Sequence, residues 1–417
     1  MTDEKAVEVA TYRHFGSMPC KNELYALSVL GNNHMARDFF AAIPDRDIPV
    51  ILVGAGPSLD KNAAELLRAK GRAIIISATH ALRTLQKYSV IPDILAEIDP
   101  KDFDFLGGLD TNGMLAFLSS RTSRKTQICL NGRAIYYDFA EELFPFSSIK
   151  GQPGNPENPG SVMNEFFDLF RLQGFNTFIL VGQDLAYGAD GSTHGSGEMQ
   201  IAVENNTHFT IEGIGGESVE SRADWIRFIK HYEKQIALQP GIRVIDATEG
   251  GAKINGTEIM SLAQAIDECC KKGYPLGEWL AGLSQAMSPE EAEEVKGYMR
   301  GKIRKLYGIR QQIEDALLNN RRLQSMVESG AAGSEGFGLL CTRYDGNYHA
   351  VLDADGSEIL IYYSEGVLQD YLQDQLACEN DITAKLVLDE KMFLSLKAEI
   401  PGLISYMEEL FENGEGL

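Results

Sequence analysis

The segment Val50–Asp60 constrains the fold more than any other part of the chain; it reads Val-Ile-Leu-Val-Gly-Ala-Gly-Pro-Ser-Leu-Asp. Four apolar residues, Val50–Val53, end abruptly at the glycine-containing turn Gly54–Ser58, and a helical pattern of apolar residues follows. This order predicts a buried strand, a tight turn and the start of a helix. Such a turn can present backbone N–H groups and a helix N-terminus to a bound phosphate.

The turn differs from the two commonest phosphate-binding motifs. Leu59 stands where a nicotinamide-type Gly-x-Gly-x-x-Gly has its third glycine, and the Gly-Lys-Ser/Thr of a P-loop is absent. The segment therefore predicts a nucleotide-phosphate loop of another class. The alternative is a turn whose glycines serve only close packing of the chain.

Composition limits the class of protein and its partners. A chain of 417 residues is long enough for two or three domains. The formal net charge of −22 argues against nucleic acid or an anionic membrane as the main partner. No run of 18 apolar residues appears, the first residues lack the pattern of a signal peptide, and the six cysteines contain no Cys-x-x-Cys. We therefore expect a cytoplasmic protein with free thiols.

Apolar segments and helical segments alternate after residue 47, which predicts an α/β fold: a Rossmann-like, doubly wound, mostly parallel sheet. We expect a short N-terminal segment over residues 1–47, the sheet domain over 48–270 and a mainly helical region over 271–417. In the last region, Ser288–Ser329 and Val387–Phe411 have helical patterns, and Leu339–Tyr363 has strand-like pieces. The predicted strands are Ile48–Val53, Ala73–Ser77, Ile94–Ile98, Thr126–Leu130, Thr177–Val181 and Ile242–Ala247. The predicted helices between them are Asp60–Lys70, Ala81–Tyr88, Met114–Ser119, Phe139–Leu143, Ser161–Leu172 and Arg222–Gln239.

Polar residues follow the predicted strands, at the sheet edge where parallel α/β folds bind ligands. The strand ends carry Gly54–Ser58, Ser77–His80, Asp99–Asp104, Asn131–Arg133 and Gly182–Tyr187. The glycine-rich stretch Gly182–Gly197 adds an acid directly after a strand, Asp184, a tyrosine, Tyr187, and a histidine, His194. We expect His194 to be a general base, because imidazole titrates near neutral pH. Gly160 and Ser161 begin a second helix at this edge, with Ser161 as its N-cap.

One Asp-x-Asp triplet, Asp102-Phe103-Asp104, has the form that many nucleotide-sugar transferases use to bind a divalent metal. The triplet is too common to identify a site, so we expect a solvated acidic turn there and no bound metal.

Four motifs occur in an order that resembles the motility accessory factor family. They are Val53–Leu59, Ile91–Pro100, Gly182–His194 and Ala247–Ala252. The resemblance covers roughly residues 45–265. It implies a glycosyltransferase that moves a sialic-acid-like nonulosonic acid, such as pseudaminic or legionaminic acid, from a CMP-activated donor to Ser or Thr of flagellin or a related protein. The central fold is also similar to the sialyltransferases of glycosyltransferase family 42, which implies that no cofactor is required and that Mg²⁺ is not essential.

The resemblance also implies roles for individual residues. His194, Asp184 and Tyr187 would be catalytic, with Tyr187 matching a tyrosine that supports the leaving phosphate, and His208 remains a rival to His194 as the base. Ala55, Thr79 and Asp99 stand where the sialyltransferases have nucleotide-holding asparagines. The expected nucleotide-binding set is Gly54, Ala55, Gly56, Pro57, Ser58, Thr79, Asp99, Gly160, Ser161, Gly182 and Gln183.

Two other functions fit the same sequence. The central domain of that family also resembles an archaeal 6-hydroxymethyl-dihydropterin pyrophosphokinase, which would use ATP and Mg²⁺, with Asp99, Asp102 and Asp104 as metal ligands. The third function is non-enzymatic: a flagellar assembly or nucleotide-sensing module.

Overall fold

A nine-stranded parallel sheet forms the centre of the molecule, in a computed structural model that describes residues 14–154, 156–157, 159–196, 207–375, 378 and 381–412. The strands of the sheet are β1 His34–Met35, β2 Val50–Val53, β3 Ile74–Ala78, β4 Ile94–Glu97, β5 Leu115–Ser119, β6 Ala134–Tyr137, β7 Thr177–Val181, β10 Arg243–Asp246 and β11 Glu258–Ile259. They lie in the order β1-β6-β5-β4-β3-β2-β7-β10-β11, and each neighbouring pair is parallel. The predicted α/β, Rossmann-like fold is therefore confirmed.

The order of the strands reverses between β2 and β7. From β2 the chain adds β3 to β6 on one side, then returns to place β7 and β10 on the other. The connections on the two sides therefore diverge at the carboxyl ends of β2 and β7, which opens a crevice where α/β proteins bind ligands. The turn Gly54–Ser58 and the segment that begins at Gly182 border this crevice.

The sheet is covered on both faces, because alternate residues of each strand point in opposite directions. Val50 and Leu52 pack into one apolar cluster with the helix Val162–Leu172. Ile51 and Val53 pack into another cluster, with the 3₁₀ turns of Ala63–Ala69. The helices around the sheet are Met18–Val29, Ala36–Ala42, Leu59–Asn62, Leu82–Lys87, Arg124–Cys129, Val162–Leu172, Ala223–Leu238 and Leu262–Cys269.

Two predicted elements exchange their types. Residues 114–119, expected as a helix, form β5, and residues 126–130, expected as a strand, lie almost entirely in the helix Arg124–Cys129. A short, fully buried apolar run has no periodicity that separates strand from helix. The side chain of Ser123 accepts a hydrogen bond from the N–H of Thr126, which starts the helix. The expected helix at 139–143 is absent from the described residues there, and β6 was not predicted.

That exchange moves one predicted polar segment to the opposite edge of the sheet. Asn131–Arg133 precedes β6 instead of following a strand, so it lies at the amino ends of the strands. The expectation that it joins the ligand edge is therefore wrong. The residues that follow β5 and β6, Ser120 and Asp138, occupy that edge instead.

The C-terminal region is helical, as expected. Two long helices, Pro289–Glu328 and Ile382–Phe411, pack together and share an apolar core with the N-terminal helix Met18–Val29. The strand-like interpretation of residues 339–363 is wrong, because these residues belong to two helices. The remaining helices are Leu276–Ala281, Glu335–Leu352, Ser357–Tyr363 and Glu365–Gln375.

A small antiparallel hairpin, β8 Phe209–Glu212 and β9 Ser218–Ser221, stands apart from the main sheet. Residues 197–206, which precede the hairpin, lie outside the described part of the chain. Among the described residues, none of the helices combines the length and the apolar character needed to cross a bilayer.

Candidate functional site

The two glycines of the turn Gly54–Ser58 lie directly against the segment that follows β7. The N–H of Gly54 donates to Val181 O at 2.8 Å, and the N–H of Gly56 donates to Gly182 O at 2.9 Å. A Cβ atom at Gly54 would lie 2.6 Å from Gly182 O, and one at Gly56 would lie 2.0 Å from a carboxylate oxygen of Asp184. Both positions therefore exclude a side chain because of this close approach.

Asp184 fixes the conformation of the glycine turn. Its carboxylate accepts the N–H of Ser58 at 3.0 Å and the hydroxyl of Ser58 at 2.7 Å. Asp184 is 6% exposed, and burial, the largest effect on it, raises its pKa to about 6. These hydrogen bonds join the turn after β2 to the segment after β7, which border the crevice on opposite sides. Ser58 and Asp184 are 126 residues apart in the chain.

Further buried polar groups lie after β7 and β10. Asp246, at the end of β10, accepts the N–H of Thr248 at 3.1 Å, and burial raises the pKa of Asp246 to about 6. The N–H of Gln183 lies 3.4 Å from the Thr248 hydroxyl. Within the described part of the chain, Asp246 Oδ2 and Gln183 Nε2 are buried without a hydrogen-bond partner. Unsatisfied atoms of this kind call for water or a bound group.

His194 lies over the glycine turn. The N–H of the next residue, Gly195, donates to Ala55 O at 2.8 Å, which holds the loop against the turn. The His194 ring stacks on His80, with 4.4 Å between ring centroids, and its Nδ1 lies 2.8 Å from the Thr193 hydroxyl. Burial, then the neighbouring His80 and Arg222, lowers the pKa of His194 to about 4. The imidazole is therefore neutral near pH 7.

Asp184 and His194 do not contact each other among the described residues. In the described residues both oxygens of Asp184 accept hydrogen bonds from Ser58, and Nδ1 of His194 shares a hydrogen bond with the hydroxyl of Thr193. The structure brings the two residues to the same crevice without joining them.

Tyr187 belongs to an aromatic group beside the crevice. Its ring stacks on His208 with 4.6 Å between centroids and 4° between planes, and it lies 4.9 Å from the ring of Trp225. The hydroxyl of Tyr187 is buried and has no hydrogen-bond partner among the described residues. Half of the His208 side chain is exposed, and its Nδ1 lies 3.8 Å from a carboxylate oxygen of Glu220. His208 thus contacts Tyr187, whereas His194 contacts His80.

Thr79 and Asp99 follow β3 and β4 at the same edge. The hydroxyl of Thr79 donates to Glu97, the buried last residue of β4, and burial raises the pKa of Glu97 to about 7. The N–H of Asp99 also donates to Glu97, at 2.9 Å, and the carboxylate of Asp99 accepts the N–H of Lys101 at 2.9 Å. Glu97 therefore organises both residues, and no pattern in the sequence singles it out.

Gly160 and Ser161 precede the helix Val162–Leu172, as expected. Gly160 has φ +97°, a conformation that favours glycine, and Ser161 occupies the N-cap position with an extended backbone. The side chain of Ser161 makes no capping hydrogen bond within the described residues. The hydroxyl is therefore not used to cap its own helix.

Two acids of the carboxyl edge were not selected from the sequence. Asp138 follows β6 with φ +62°, and its carboxylate accepts the Ser119 hydroxyl and the Ser120 N–H, each at 2.8 Å. Glu165, in the first turn of the helix Val162–Leu172, accepts the Tyr137 hydroxyl at 2.7 Å, and burial raises the pKa of Glu165 to about 8. Asp138 was missed because β6 was missed, and Glu165 was missed although its helix was predicted.

The Asp-x-Asp triplet follows β4, in the loop whose Phe105 packs on His80 with 4.3 Å between ring centroids. Asp104 pairs with Lys125 at 3.0 Å. Among the described residues, no group of three or more histidine, cysteine or acidic side chains is placed to hold a metal ion.

Comparisons with known proteins give one family and one solved structure. Residues 21–190 match the family described as "6-hydroxymethylpterin diphosphokinase MptE-like". The structure of a Maf glycosyltransferase from Magnetospirillum magneticum AMB-1 is similar, with a TM-score of 0.59 and 16% sequence identity. The similarity covers 95% of this chain and 61% of that one, so the chain spans less than two thirds of the neighbour. No curated protein matches the chain. The structural similarity confirms the fold, and the family match covers less than half of the chain.

Proposed function

We propose that this chain is a glycosyltransferase that moves a nonulosonic acid from a CMP-activated donor to Ser or Thr of flagellin or a related protein. The observation that carries the proposal is the crevice between β2 and β7, where the glycine turn, Asp184 and the loop of His194 meet. This is the position at which α/β folds bind nucleotides. The fold shared with a Maf glycosyltransferase supports the same reaction class.

The reaction we propose is a single inverting displacement. The acceptor hydroxyl oxygen forms a bond to the anomeric carbon while the bond from that carbon to the phosphate oxygen of CMP breaks. The hydroxyl proton passes to His194, whose depressed pKa keeps the ring unprotonated and able to accept it near pH 7. The negative charge that leaves with CMP is stabilised by donors at the crevice.

The role we propose for Asp184 is to position the glycine turn. Because it holds both polar groups of Ser58, it fixes the geometry of Gly54–Ser58 before the donor binds. Tyr187, whose buried hydroxyl has no hydrogen-bond partner among the described residues, would donate to the leaving phosphate. CMP is a good leaving group, so the reaction needs no metal.

The test is transfer to flagellin with the purified chain. Incubation with a CMP-nonulosonic acid should add the mass of one or more sugar residues to flagellin, and deletion of the gene should remove that mass in the cell. A flagellin mass that does not change in either experiment rejects the proposal.

A second function, pterin diphosphokinase, is favoured by one observation. The MptE-like match over residues 21–190 includes the glycine turn and Asp184. Thermal shift separates the functions, because a ligand at 100 times its dissociation constant adds about 2.7 kcal/mol to stability. Stabilisation by CMP favours the transferase, stabilisation by ATP with Mg²⁺ favours the kinase, and no response favours an assembly role.

A further inference from the structure

The glycine turn has few donors left for an anion. The N–H groups of Gly54, Gly56 and Ser58 all donate to atoms that follow or end β7, and Pro57 has no N–H. The chain as a whole carries a net charge of −22. An anionic donor that enters the crevice therefore needs a cation nearby.

Arg222 lies beside the crevice, between β9 and the helix Ala223–Leu238. Two hydrogen bonds attach this part of the chain to the segment after β7. The Ser221 hydroxyl donates to Leu185 O at 2.7 Å, and the Tyr187 N–H donates to Glu220 O at 2.8 Å. The guanidinium is thereby held next to the segment that borders the glycine turn.

The guanidinium of Arg222 is largely buried but incompletely paired. Its side chain is 17% exposed and lies over the ring of Trp225, 4.0 Å from the centroid. In the described residues its ion pair is with Asp224, 2.8 Å from Nε, and no acceptor contacts its two Nη atoms. Stacking on Trp225 fixes the plane of the guanidinium and leaves the N–H groups of its two Nη atoms available to a ligand.

Other groups beside Arg222 suit the same ligand. Trp225 also contacts Tyr187, whose buried hydroxyl has no partner within the described chain. The charge of Arg222 acts on His194, which supports its position near that ring. Lys61, a cation of the short helix that follows the glycine turn, donates a hydrogen bond to Glu249 O at 2.9 Å.

We propose that Arg222 binds the anionic group of the donor, a phosphate or carboxylate oxyanion, through its Nη atoms. The inference rests on the proposed function for the identity of the donor. It differs from that function in naming a residue of the hairpin–helix junction, instead of the glycine turn, as the main anion-binding group. A planar guanidinium pairs with either oxyanion through two parallel hydrogen bonds.

Calorimetric titration of the full chain with CMP, ATP, inorganic pyrophosphate and N-acetylneuraminic acid tests the inference. Arg222→Gln should raise the dissociation constant of the anion that binds by about 10- to 100-fold. Arg222→Lys keeps the positive charge but lacks the paired Nη donors, so its dissociation constant should lie between those of the native chain and of Arg222→Gln. Lys230→Gln removes an exposed cation of the helix that follows Arg222, and its dissociation constant should stay within twofold of the native value.

A second variant keeps the test decisive if Arg222→Gln does not fold. Asp224→Asn removes the carboxylate that competes for Arg222, so it should tighten binding of the same anion in otherwise native protein. Tightening supports the inference, and an unchanged constant contradicts it. The inference is also overturned if folded Arg222→Gln binds within twofold of the native chain, or if none of the four anions binds.

The four ligands separate the two proposals. Arg222-dependent binding of CMP or pyrophosphate assigns the contact to phosphate, and Arg222-dependent binding of N-acetylneuraminic acid assigns it to the sugar carboxylate. If ATP or pyrophosphate binds through Arg222 while CMP does not, the role of Arg222 stands and the CMP-dependent transferase falls.

Discussion

Replacement of Asp184 by asparagine should make the protein more stable relative to the native chain as the pH rises. Asparagine has the same shape and keeps a carbonyl oxygen for Ser58, but it cannot ionise. In the native chain, burial raises the pKa of Asp184 from 3.8 to about 6. A carboxyl whose pKa is raised on folding contributes stability below its unfolded pKa and loses that contribution as the pH rises through the folded pKa.

The size of the effect follows from the two pKa values. A shift of about two units corresponds to roughly 3 kcal/mol in full, at 1.36 kcal/mol per unit. About half of this develops between pH 5 and pH 8, because the unfolded carboxyl is already mostly ionised at pH 5. We expect the stability difference between Asp184→Asn and the native chain to shift by about 1–1.5 kcal/mol over that range, in favour of the variant.

Urea unfolding at several pH values between 5 and 8 measures this difference. The range stays above the isoelectric point near 4.8, where loss of net charge promotes association. Asp190→Asn, at an exposed position of the same loop, is the matched control and should show a much smaller pH dependence. A native chain that instead gains stability over Asp184→Asn with rising pH would show that Asp184 is stabilised as a carboxylate, and the reasoning from burial would be refuted.

Three further predictions concern the crevice. Gly56→Ala should destabilise the fold by about 1–3 kcal/mol, because the new Cβ would lie 2.0 Å from Asp184 Oδ2. Gly277→Ala is the control and should not destabilise the fold, because its Cβ would have no atom within 4 Å. Equal urea midpoints for the two variants would contradict the packing. His194→Ala should reduce transfer by about 10²–10⁴-fold with donor affinity retained, and His208→Ala should have a far smaller effect; the reverse result would make His208 the base. Transfer should persist in EDTA, and a complete loss that Mg²⁺ restores would favour the kinase.

The parts of the fold that the sequence predicted are those with strong local signals. β2 and β7 are apolar runs that end at glycine, so both their type and their carboxyl ends could be predicted. Residues 114–137 gave no such signal, because each of their apolar runs is short and has turn residues close by. The error there placed Asn131–Arg133 at the wrong edge and concealed Asp138.

The contacts inside the crevice could not be predicted, since they join residues far apart in the chain. His80 stacks on His194, Arg222 covers Trp225, and Glu97 holds Thr79; only the folded sheet brings each of these partners to one edge. A single sequence shows the residue types at the strand ends but not which of them meet. The candidate base could therefore be selected from its loop, while its neighbours could not.

The glycine turn shows that the glycines predicted for phosphate binding also have a packing role. The Gly-x-Gly pattern predicted a phosphate loop, and the crevice lies where that pattern indicated. In the structure the two glycines allow the turn to approach Gly182 and Asp184, and this contact uses the N–H groups that a phosphate would need. Close packing and ligand binding are then complementary. The packing holds the turn in one conformation where the strand order reverses between β2 and β7. Because the protein is so acidic, positively charged side chains beside the turn, above all Arg222, must then attract the anion.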